Sequence, residues 1–294
     1  MLSRSQTGSF AGRLSNISNI NADKLQLQEG QVIRVLSVRM VGGHKTFICE
    51  EEQTIRFMAH SYLGLSLPQI QWRQAMLGPT VNSSLGERTP NFSRDGHWMF
   101  FVSNRPGGFG GDDLWASWRT HTHDDFGWQP PVNLGPGVNA ASFDAGASFF
   151  ENEEAGMPLL FFGSIRPGGF GGPDIYVSAQ AADGSFGPAT FVSQLSSPVA
   201  DQRPAIRFDG LEIILFSDRP GSLGFADLWA STRQTVFDTW STPVNLGPVV
   251  NSTSNDAPAY LSSNGRILFF ASNRPGGFGG LDLYVTTRER VGGK

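Results

Sequence analysis

The feature that most constrains the fold of this chain is a thirteen-residue motif that occurs four times. The copy at residues 103–115 is SNRPGGFGGDDLW, and related copies occupy residues 164–176, 217–229 and 272–284. In each copy an aspartate follows an arginine by eight positions, and successive arginines lie 61, 53 and 55 residues apart. A repeat of this length is typical of a propeller blade or a solenoid unit.

The segments on either side of the motif have the composition of β-strands. Residues 98–102 (WMFFV) precede the first copy and residues 114–118 (LWASW) follow its loop. Short apolar and aromatic runs of this kind predict strands. Between them, proline fixes φ and glycine permits positive φ, as a sharp connection requires. We therefore predict a β-hairpin loop at each motif, and a phosphate-binding loop is excluded because its glycines would have to open a helix.

A second phrase, VNLGP, predicts the last strand of each unit. It occurs at residues 132–136 and 244–248, with a weaker copy in residues 186–195. Proline lacks the N–H that continued strand pairing needs, so the strand should end there. Asp95-Gly96 and its counterparts favour a two-residue hairpin between the first two strands. The first regular unit should then contain four antiparallel strands, A to D, at residues 89–93, 98–103, 114–119 and 128–133.

These units predict an all-β fold in a single domain, a five-bladed β-propeller with a degenerate first blade. Glu29-Gly30 precedes Ser37 by the same interval as Asp95-Gly96 precedes Ser103. Ser37-Val38-Arg39 is therefore at the position that the Ser-x-Arg motif occupies in the regular units. The degenerate blade, residues 22–78, should have strands at 24–28, 31–37, 46–50 and 72–82. The regular blades should span residues 79–134, 137–195, 198–246 and 249–290.

The two ends of the chain are predicted to close the ring. The chain ends at Lys294 where the last blade should begin its strand D, and residues 9–17 resemble such a strand. Supplying it from the N-terminus would remove free strand edges, which β proteins have to hide. The alternative is a four-bladed propeller with a small N-terminal β domain.

Composition excludes several classes of partner and site. The formal net charge is −4 and the isoelectric point is about 5.7, so the basic footprint of nucleic-acid binders is absent. Cys49 is the only cysteine, which excludes an intrachain disulfide and a zinc site built from thiolates. The N-terminus has no apolar signal region and the sequence has no apolar run long enough to span a membrane. We expect a monomer without a membrane span or a cofactor, and its location is not assigned.

The repeated phrases together resemble the WD-like β-propeller repeats of TolB-type proteins. The phrases are Asp-Gly, Ser-x-Arg-Pro-Gly-Gly, Asp-Leu-Trp/Tyr and Val-Asn-Leu-Gly, and the resemblance covers residues 71–290. It implies a bladed propeller that serves as a protein-interaction module, or as a non-catalytic part of a larger enzyme, in the bacterial periplasm or cell envelope.

The arginine and aspartate of each motif are predicted to form a structural pair that braces the glycine loop. A residue that recurs in every blade stabilises the blade, whereas catalysis needs its groups at one place. The pairs are Arg105 with Asp113, Arg166 with Asp174, Arg219 with Asp227, and Arg274 with Asp282.

Three further sets of residues are candidates for binding. The loop phenylalanines should wedge between blades or, with two loop asparagines, form a stacking platform; these residues are Phe109, Phe170, Phe278, Asn104 and Asn273. An acid just before each strand A should cap its turn or bind a cation or basic peptide at the axis; these acids are Glu87, Asp144, Asp201 and Asp256. The cluster HTHDD at residues 121–125 has metal-ligand residue types, and we interpret it as a hairpin tip and predict no metal site.

The function predicted from these observations is a non-catalytic scaffold. It would bind an unidentified protein or a polar extended ligand on the face that carries the glycine loops. The alternative is a glycoside hydrolase or lyase that uses the four acids at the propeller axis. A glycosidase needs two carboxyls about 5 to 9.5 Å apart across the sugar, so acids bound into their own turns would count against this use of them.

Overall fold

The structure is a computed structural model that describes residues 20–21, 35–41, 44–49, 76–151, 154, 156–262 and 264–289. Every regular element in these ranges is a β-strand. The chain divides into two compact units, Met1–Ala75 and Met76–Lys294. Over the described ranges there is no helix that could cross a membrane.

The first unit contains a small antiparallel sheet of strands β1 (Ile20–Asn21), β2 (Val35–Val41) and β3 (His44–Cys49), in the order β1-β3-β2. The second strand continues to Val41, past its predicted end at residue 37, and the third begins at His44, before its predicted start at residue 46. Val38 and Arg39 are paired within β2, so Ser37-Val38-Arg39 does not begin a loop. The physical reason is that this segment lacks the Pro-Gly-Gly that ends pairing in the regular motifs.

The second unit consists of four antiparallel blades arranged as a β-propeller. The first blade is β4 (Glu87–Phe92), β5 (Trp98–Ser103), β6 (Asp113–Trp118) and β7 (Val132–Asn133). The second is β8 (Asp144–Phe150), β9 (Leu159–Ser164), β10 (Asp174–Ala179) and β11 (Thr190–Phe191). The third is β12 (Asp201–Ile206), β13 (Glu212–Ser217), β14 (Asp227–Thr232) and β15 (Val244–Asn245). The fourth is β16 (Asp256–Leu261), β17 (Ile267–Ser272) and β18 (Asp282–Thr287).

The all-β propeller predicted from the repeats is confirmed, and its four blades match the four-bladed alternative. Each blade is an antiparallel meander whose inner strand comes first in the chain. Among the residues described, the fourth blade has no outer strand after β18. The predicted closing strand at residues 9–17 lies outside the described residues, so closure of the ring by that strand in the last blade stays a prediction.

The outer strands of the first three blades have only two residues each, fewer than predicted. In the first blade only Val132 and Asn133 pair in β7, and an isolated bridge joins Arg119 and Trp128. The sequence between them contains Pro130 and Pro131. These residues have no N–H to donate, so they interrupt the ladder.

The core consists of apolar clusters between neighbouring blades. Leu160 and Phe162 of β9 pack with Phe100 of the first blade, whereas Phe161 packs with Ile213 of the third. Successive side chains of a strand point to opposite faces of the sheet. The second strand of a blade therefore contributes to two clusters, which explains why it is apolar at nearly every position.

The motif arginine joins three parts of the blade. Arg219 donates from Nε to Ser217 Oγ at 3.1 Å and from Nη2 to the Leu195 carbonyl at 2.9 Å, and it forms an ion pair with Asp201. These contacts tie the end of the second strand to the start of the inner strand and to the preceding turn. The equivalent ion pairs are Arg105 with Glu87 at 3.0 Å, Arg166 with Asp144 at 2.6 Å, and Arg274 with Asp256 at 2.5 Å. We call these four contacts the arginine brace.

The motif aspartate binds the glycine loop and not the motif arginine, so the predicted pairing of Arg105 with Asp113 and its equivalents is wrong. Asp113 accepts hydrogen bonds from the backbone N–H groups of Phe109 and Gly110. A Cβ at Gly108 would lie 2.1 Å from Asp113 Oδ2, which explains why glycine is required there. The same backbone bonds recur at Asp174, Asp227 and Asp282.

Loss of one arginine should destabilise the propeller strongly. In Arg219→Met, Asp201 remains fully buried without its cation. Breaking a buried ion pair costs about 3–5 kcal/mol, and we expect a loss of that size in the free energy of unfolding measured by chemical denaturation. Arg266→Met, at an exposed turn, is the control and should change it by less than about 0.5 kcal/mol. Equal effects of the two substitutions would contradict a structural role for the arginine brace.

Candidate axial binding site

All four inner strands contain a β-bulge at the same level. The pairing with the second strand shifts between Arg88 and Asn91, between Ala145 and Ser148, between Gln202 and Ala205, and between Asp256 and Ala259. A bulge bends its strand and re-aims side chains, and bulges are common beside active sites. The inner strands around the axis therefore depart from regular pleated geometry at the bulges.

Two of these bulges hold a residue with a side chain at positive φ. Thr89 has φ 50° and Arg203 has φ 51°, while Gly146 occupies the equivalent position with φ 70°. For a residue other than glycine such a conformation costs about 1–3 kcal/mol. A Cβ at Gly146 would lie only 2.9 Å from Cα of Arg203, so glycine in the second blade admits the strained arginine of the third.

The bulges border a cavity of about 680 Å³ in the second unit. Its walls are the inner strands from their bulges onward and the turns that follow them, and none of the glycine loops contributes to the lining. Glu87, the first residue of β4, pairs with Ser103 beside a glycine loop. The cavity therefore lies toward the opposite end of the inner strands. We call it the axial pocket, and its volume is in the range of small-ligand sites.

The lining residues of the axial pocket differ from blade to blade. We call the acid that begins each inner strand the inner acid; these are Glu87, Asp144, Asp201 and Asp256. Two positions after the inner acid, the four blades have in chain order Thr89, Gly146, Arg203 and Pro258. Four positions after it, they have Asn91, Ser148, Ala205 and Tyr260. Seven positions after it the first three blades have Arg94, Glu151 and Phe208. The repeats thus share a frame, and the chemical variation is concentrated at the pocket.

Hydrogen bonds between blades fix several lining residues in place. The Phe149 N–H donates to Asn91 Oδ1 at 3.0 Å, and the Ile206 N–H donates to Ser148 Oγ at 3.1 Å. At the end of the pocket formed by the turns, the Arg94 N–H donates to Glu151 Oε2 at 2.7 Å. These bonds hold the walls in one geometry, as a preorganised binding site requires.

The pocket-lining arginine Arg203 has an unusual environment. Its guanidinium forms no hydrogen bond or ion pair within the described part of the chain. Burial lowers the pKa of Arg203, and the nearby charge of Arg88 lowers it further. An arginine side chain nevertheless remains charged in proteins.

The four predicted axial acids are structural in this fold. Asp144, Asp201 and Asp256 are fully buried, and each of the four carboxylates is paired with its motif arginine. Each also accepts a bond from its own turn, as Asp144 does from the Ala140 N–H at 2.6 Å. Burial raises the pKa of Asp144, although the hydrogen bonds it accepts act in the opposite direction. These contacts agree with the turn-capping hypothesis and count against a catalytic pair drawn from these acids.

The loop phenylalanines do not wedge between blades, so that prediction is wrong. Phe109 and Phe170 are about half exposed, at 48% and 52%, and Phe278 is fully exposed. The two loop asparagines are used locally: Asn104 Oδ1 accepts from the Gly86 N–H at 3.0 Å, and Asn273 Oδ1 accepts from the Asn255 N–H at 2.9 Å. A ligand role for these five residues has no direct support in these contacts.

The histidine pair of the HTHDD cluster lies in an exposed loop. The His121 and His123 rings are 5.4 Å apart. Over the described ranges, no three histidine, cysteine or acidic side chains are grouped so that they could hold a metal ion.

The repeated motifs do not contain the residues of the axial pocket. Arg203 and Glu151 stand at positions where the repeats disagree, whereas the motifs consist of positions where the repeats agree. Comparing the blades position by position would have found both, because each is the one residue of its charge among its equivalents.

The comparison with known proteins concerns the fold. No family model and no curated protein matches the chain. Similar solved structures include the arabinanase of Bacillus subtilis, with 13% identity over 71% of this chain and 75% of that chain at a TM-score of 0.49. The xylan β-1,4-xylosidase of Bacillus halodurans is 15% identical over 69% and 41% at 0.48, and the α-L-arabinofuranosidase of Lactobacillus brevis is 14% identical over 69% and 71% at 0.47. At such identities a likeness concerns the fold and not the substrate.

Two predictions are corrected by this comparison. The similar structures are glycoside hydrolases and not TolB-type propellers, so the TolB-type resemblance is wrong. The same finding contradicts the prediction of a non-catalytic scaffold that acts through the glycine-loop face.

Relief of the positive φ in the first inner strand should stabilise the protein. Thr89 has φ 50°, and its buried Oγ1 has no hydrogen-bond partner in the described structure. Thr89→Gly should therefore raise the free energy of unfolding by up to about 1 kcal/mol. Thr287→Gly, in regular strand β18, should instead lower it by about 0.5–1 kcal/mol. Denaturant unfolding of both variants measures the difference, and a loss at Thr89 as large as that at Thr287 would contradict backbone strain in the bulge.

Proposed function

We propose that this chain is a glycoside hydrolase that binds and cleaves a glycan in its axial pocket. The observation that carries the proposal is the pocket itself: its wall combines aromatic side chains with hydrogen-bonding and charged side chains that differ from blade to blade. Ligand sites typically combine apolar and aromatic walls with a few placed polar groups.

The lining has the chemistry that a sugar chain requires. Phe92 and Tyr260 are both largely exposed, at 49% and 63%, and both line the pocket. An aromatic face is suited to the C–H face of a sugar ring, and the tyrosine hydroxyl can also hydrogen-bond. The Asn91 amide group can bond a sugar hydroxyl with donors that its carbonyl bond to Phe149 leaves free.

Glu151 is the residue that we assign to proton transfer. It is the only carboxylic acid among the described lining residues, and the Arg94 N–H holds its Oε2 at 2.7 Å. Glycosidic cleavage uses one carboxyl group to protonate the leaving oxygen and a second group to activate water or attack the sugar. Among the described lining residues only Glu151 is a carboxylic acid, so our assignment covers the proton donor alone. The inner acids do not fill this role, because each is bound to an arginine and to its own turn.

Replacing the Glu151 carboxyl by an amide should remove catalysis and retain binding. Glu151→Gln keeps the shape of the side chain, and general acid–base groups contribute about 10²- to 10⁴-fold in rate. We expect kcat on the best glycan to fall by about 100-fold or more. Product release from a panel of arabinan, xylan and acidic oligosaccharides provides the rate, and isothermal titration provides the affinity.

Two controls make this experiment decisive. Glu154→Gln removes an exposed acid of the same loop outside the pocket lining and should retain full activity. Asp144→Asn should lower the melting temperature without a comparable loss in kcat of the folded fraction, because Asp144 belongs to the arginine brace. Full activity in Glu151→Gln would contradict the assigned role, and a wild-type protein that neither binds nor cleaves any glycan would overturn the proposed function.

A further inference from the structure

We infer that the glycan is acidic and that Arg203 binds a carboxylate of one of its uronic acid residues. This inference rests on the proposed function, because it concerns the ligand of the same pocket. The observation behind it is a partly buried guanidinium in the pocket wall that has no partner in the described part of the chain.

Arg203 differs in this respect from other partly buried arginines of the propeller. Arg207 contacts the carboxylates of Asp209 and Glu212, and Arg233 donates to the Gly210 carbonyl at 2.7 Å. Taking a cation out of water costs free energy unless an anion or hydrogen-bond acceptors replace the water. Within the described part of the chain, the partly buried charge of Arg203 is therefore left for an external acceptor.

The charges around the pocket favour an anion. Arg94, Arg203, Arg207 and Glu151 line it; Arg207 is already paired with Asp209 and Glu212, whereas Arg203 has no partner in the described part of the chain. Arg88, which is paired with Asp112, lies close enough to lower the pKa of Arg203. Arg203 lies two positions after the inner acid Asp201, within the bulge of its strand. Glu151 lies seven positions after the inner acid Asp144, in the turn that follows its strand.

Arg203 has a strained backbone conformation that its equivalents do not share as charged residues. It occupies a bulge at φ 51°, and its equivalents in the other blades are Thr89, Gly146 and Pro258, none of which is charged. Gly146 leaves the space next to Arg203 that any larger residue would fill. A strained, unrepeated cation in a cavity is more consistent with ligand binding than with support of the blade.

A carboxylate is the anion that best fits this group. The guanidinium is planar and can donate two parallel hydrogen bonds to the two oxygens of a carboxylate. In a glycan this group is supplied by a uronic acid. Phe92 and Tyr260, which line the same pocket, offer aromatic surface to the sugar rings of such a chain.

Acidic oligosaccharides and their methyl esters provide a direct test, because esterification removes the charge and retains the sugar backbone. Oligogalacturonate, oligomannuronate and glucuronoxylan oligosaccharides would each be titrated with the full chain, as the acid and as the ester. We expect at least one acid to bind about tenfold or more tightly than its ester, as hydrogen bonds to charged groups contribute on that scale. In Arg203→Met this preference should vanish while affinity for the ester stays, and Arg203→Lys should retain part of it.

Arg266→Met, which removes an exposed arginine outside the pocket lining, should keep the full preference. Thermal unfolding of each variant checks its folding, and the comparison of acid with ester in the wild type remains informative if Arg203→Met does not fold. An unchanged preference in Arg203→Met, or equal binding of acid and ester by the wild type, would overturn the inference and leave the proposed function standing. A wild type that binds no glycan at all would overturn both.

Discussion

The propeller depends on the ion pair between each motif arginine and the acid at the start of the inner strand. Arg219 and Asp201 are both buried, and the arginine also holds Ser217 and the Leu195 carbonyl, so one side chain joins two strands and a turn. A charge in the interior is tolerated only when it is paired and hydrogen-bonded. The arginine brace therefore fixes the geometry of each blade. It also keeps the four inner acids bound to arginine, so these acids are not available as catalytic groups.

Because the repeated residues are structural, a catalytic site has to be built from residues that differ between the blades. The repeated residues hold the blades, and the bulged inner strands place different side chains of each blade around the axial pocket. Glu151 and Arg203 are two of the charged residues in this lining that have no like-charged equivalent in the other blades, and hydrogen bonds between blades fix the walls around them. An asymmetric site inside a symmetric frame meets the requirement that catalysis needs particular groups at one place.

The sequence predicted the frame better than the site. The limits of the second strand, 98–103, agree with β5 because its apolar run ends at Pro-Gly-Gly. The arginine partner was predicted incorrectly, because spacing along the chain does not show that Arg105 turns back toward Glu87. The bulges were also missed: one extra residue in an inner strand changes its pairing register without altering its composition. The pocket could not be predicted from the motif, because its residues are the ones that the repeats do not share.

The most direct test of the central claim compares two regions of the same protein. One variant would remove aromatic surface from the axial pocket, Phe92→Ala with Tyr260→Ala, and the other would remove it from the glycine loops, Phe109→Ala with Phe170→Ala and Phe278→Ala. Glycan affinity would be measured by isothermal titration for both, with folding checked by thermal unfolding. We expect the pocket variant to lose affinity by about tenfold or more and the loop variant to retain it. Loss of affinity in the loop variant alone would contradict the axial pocket as the site.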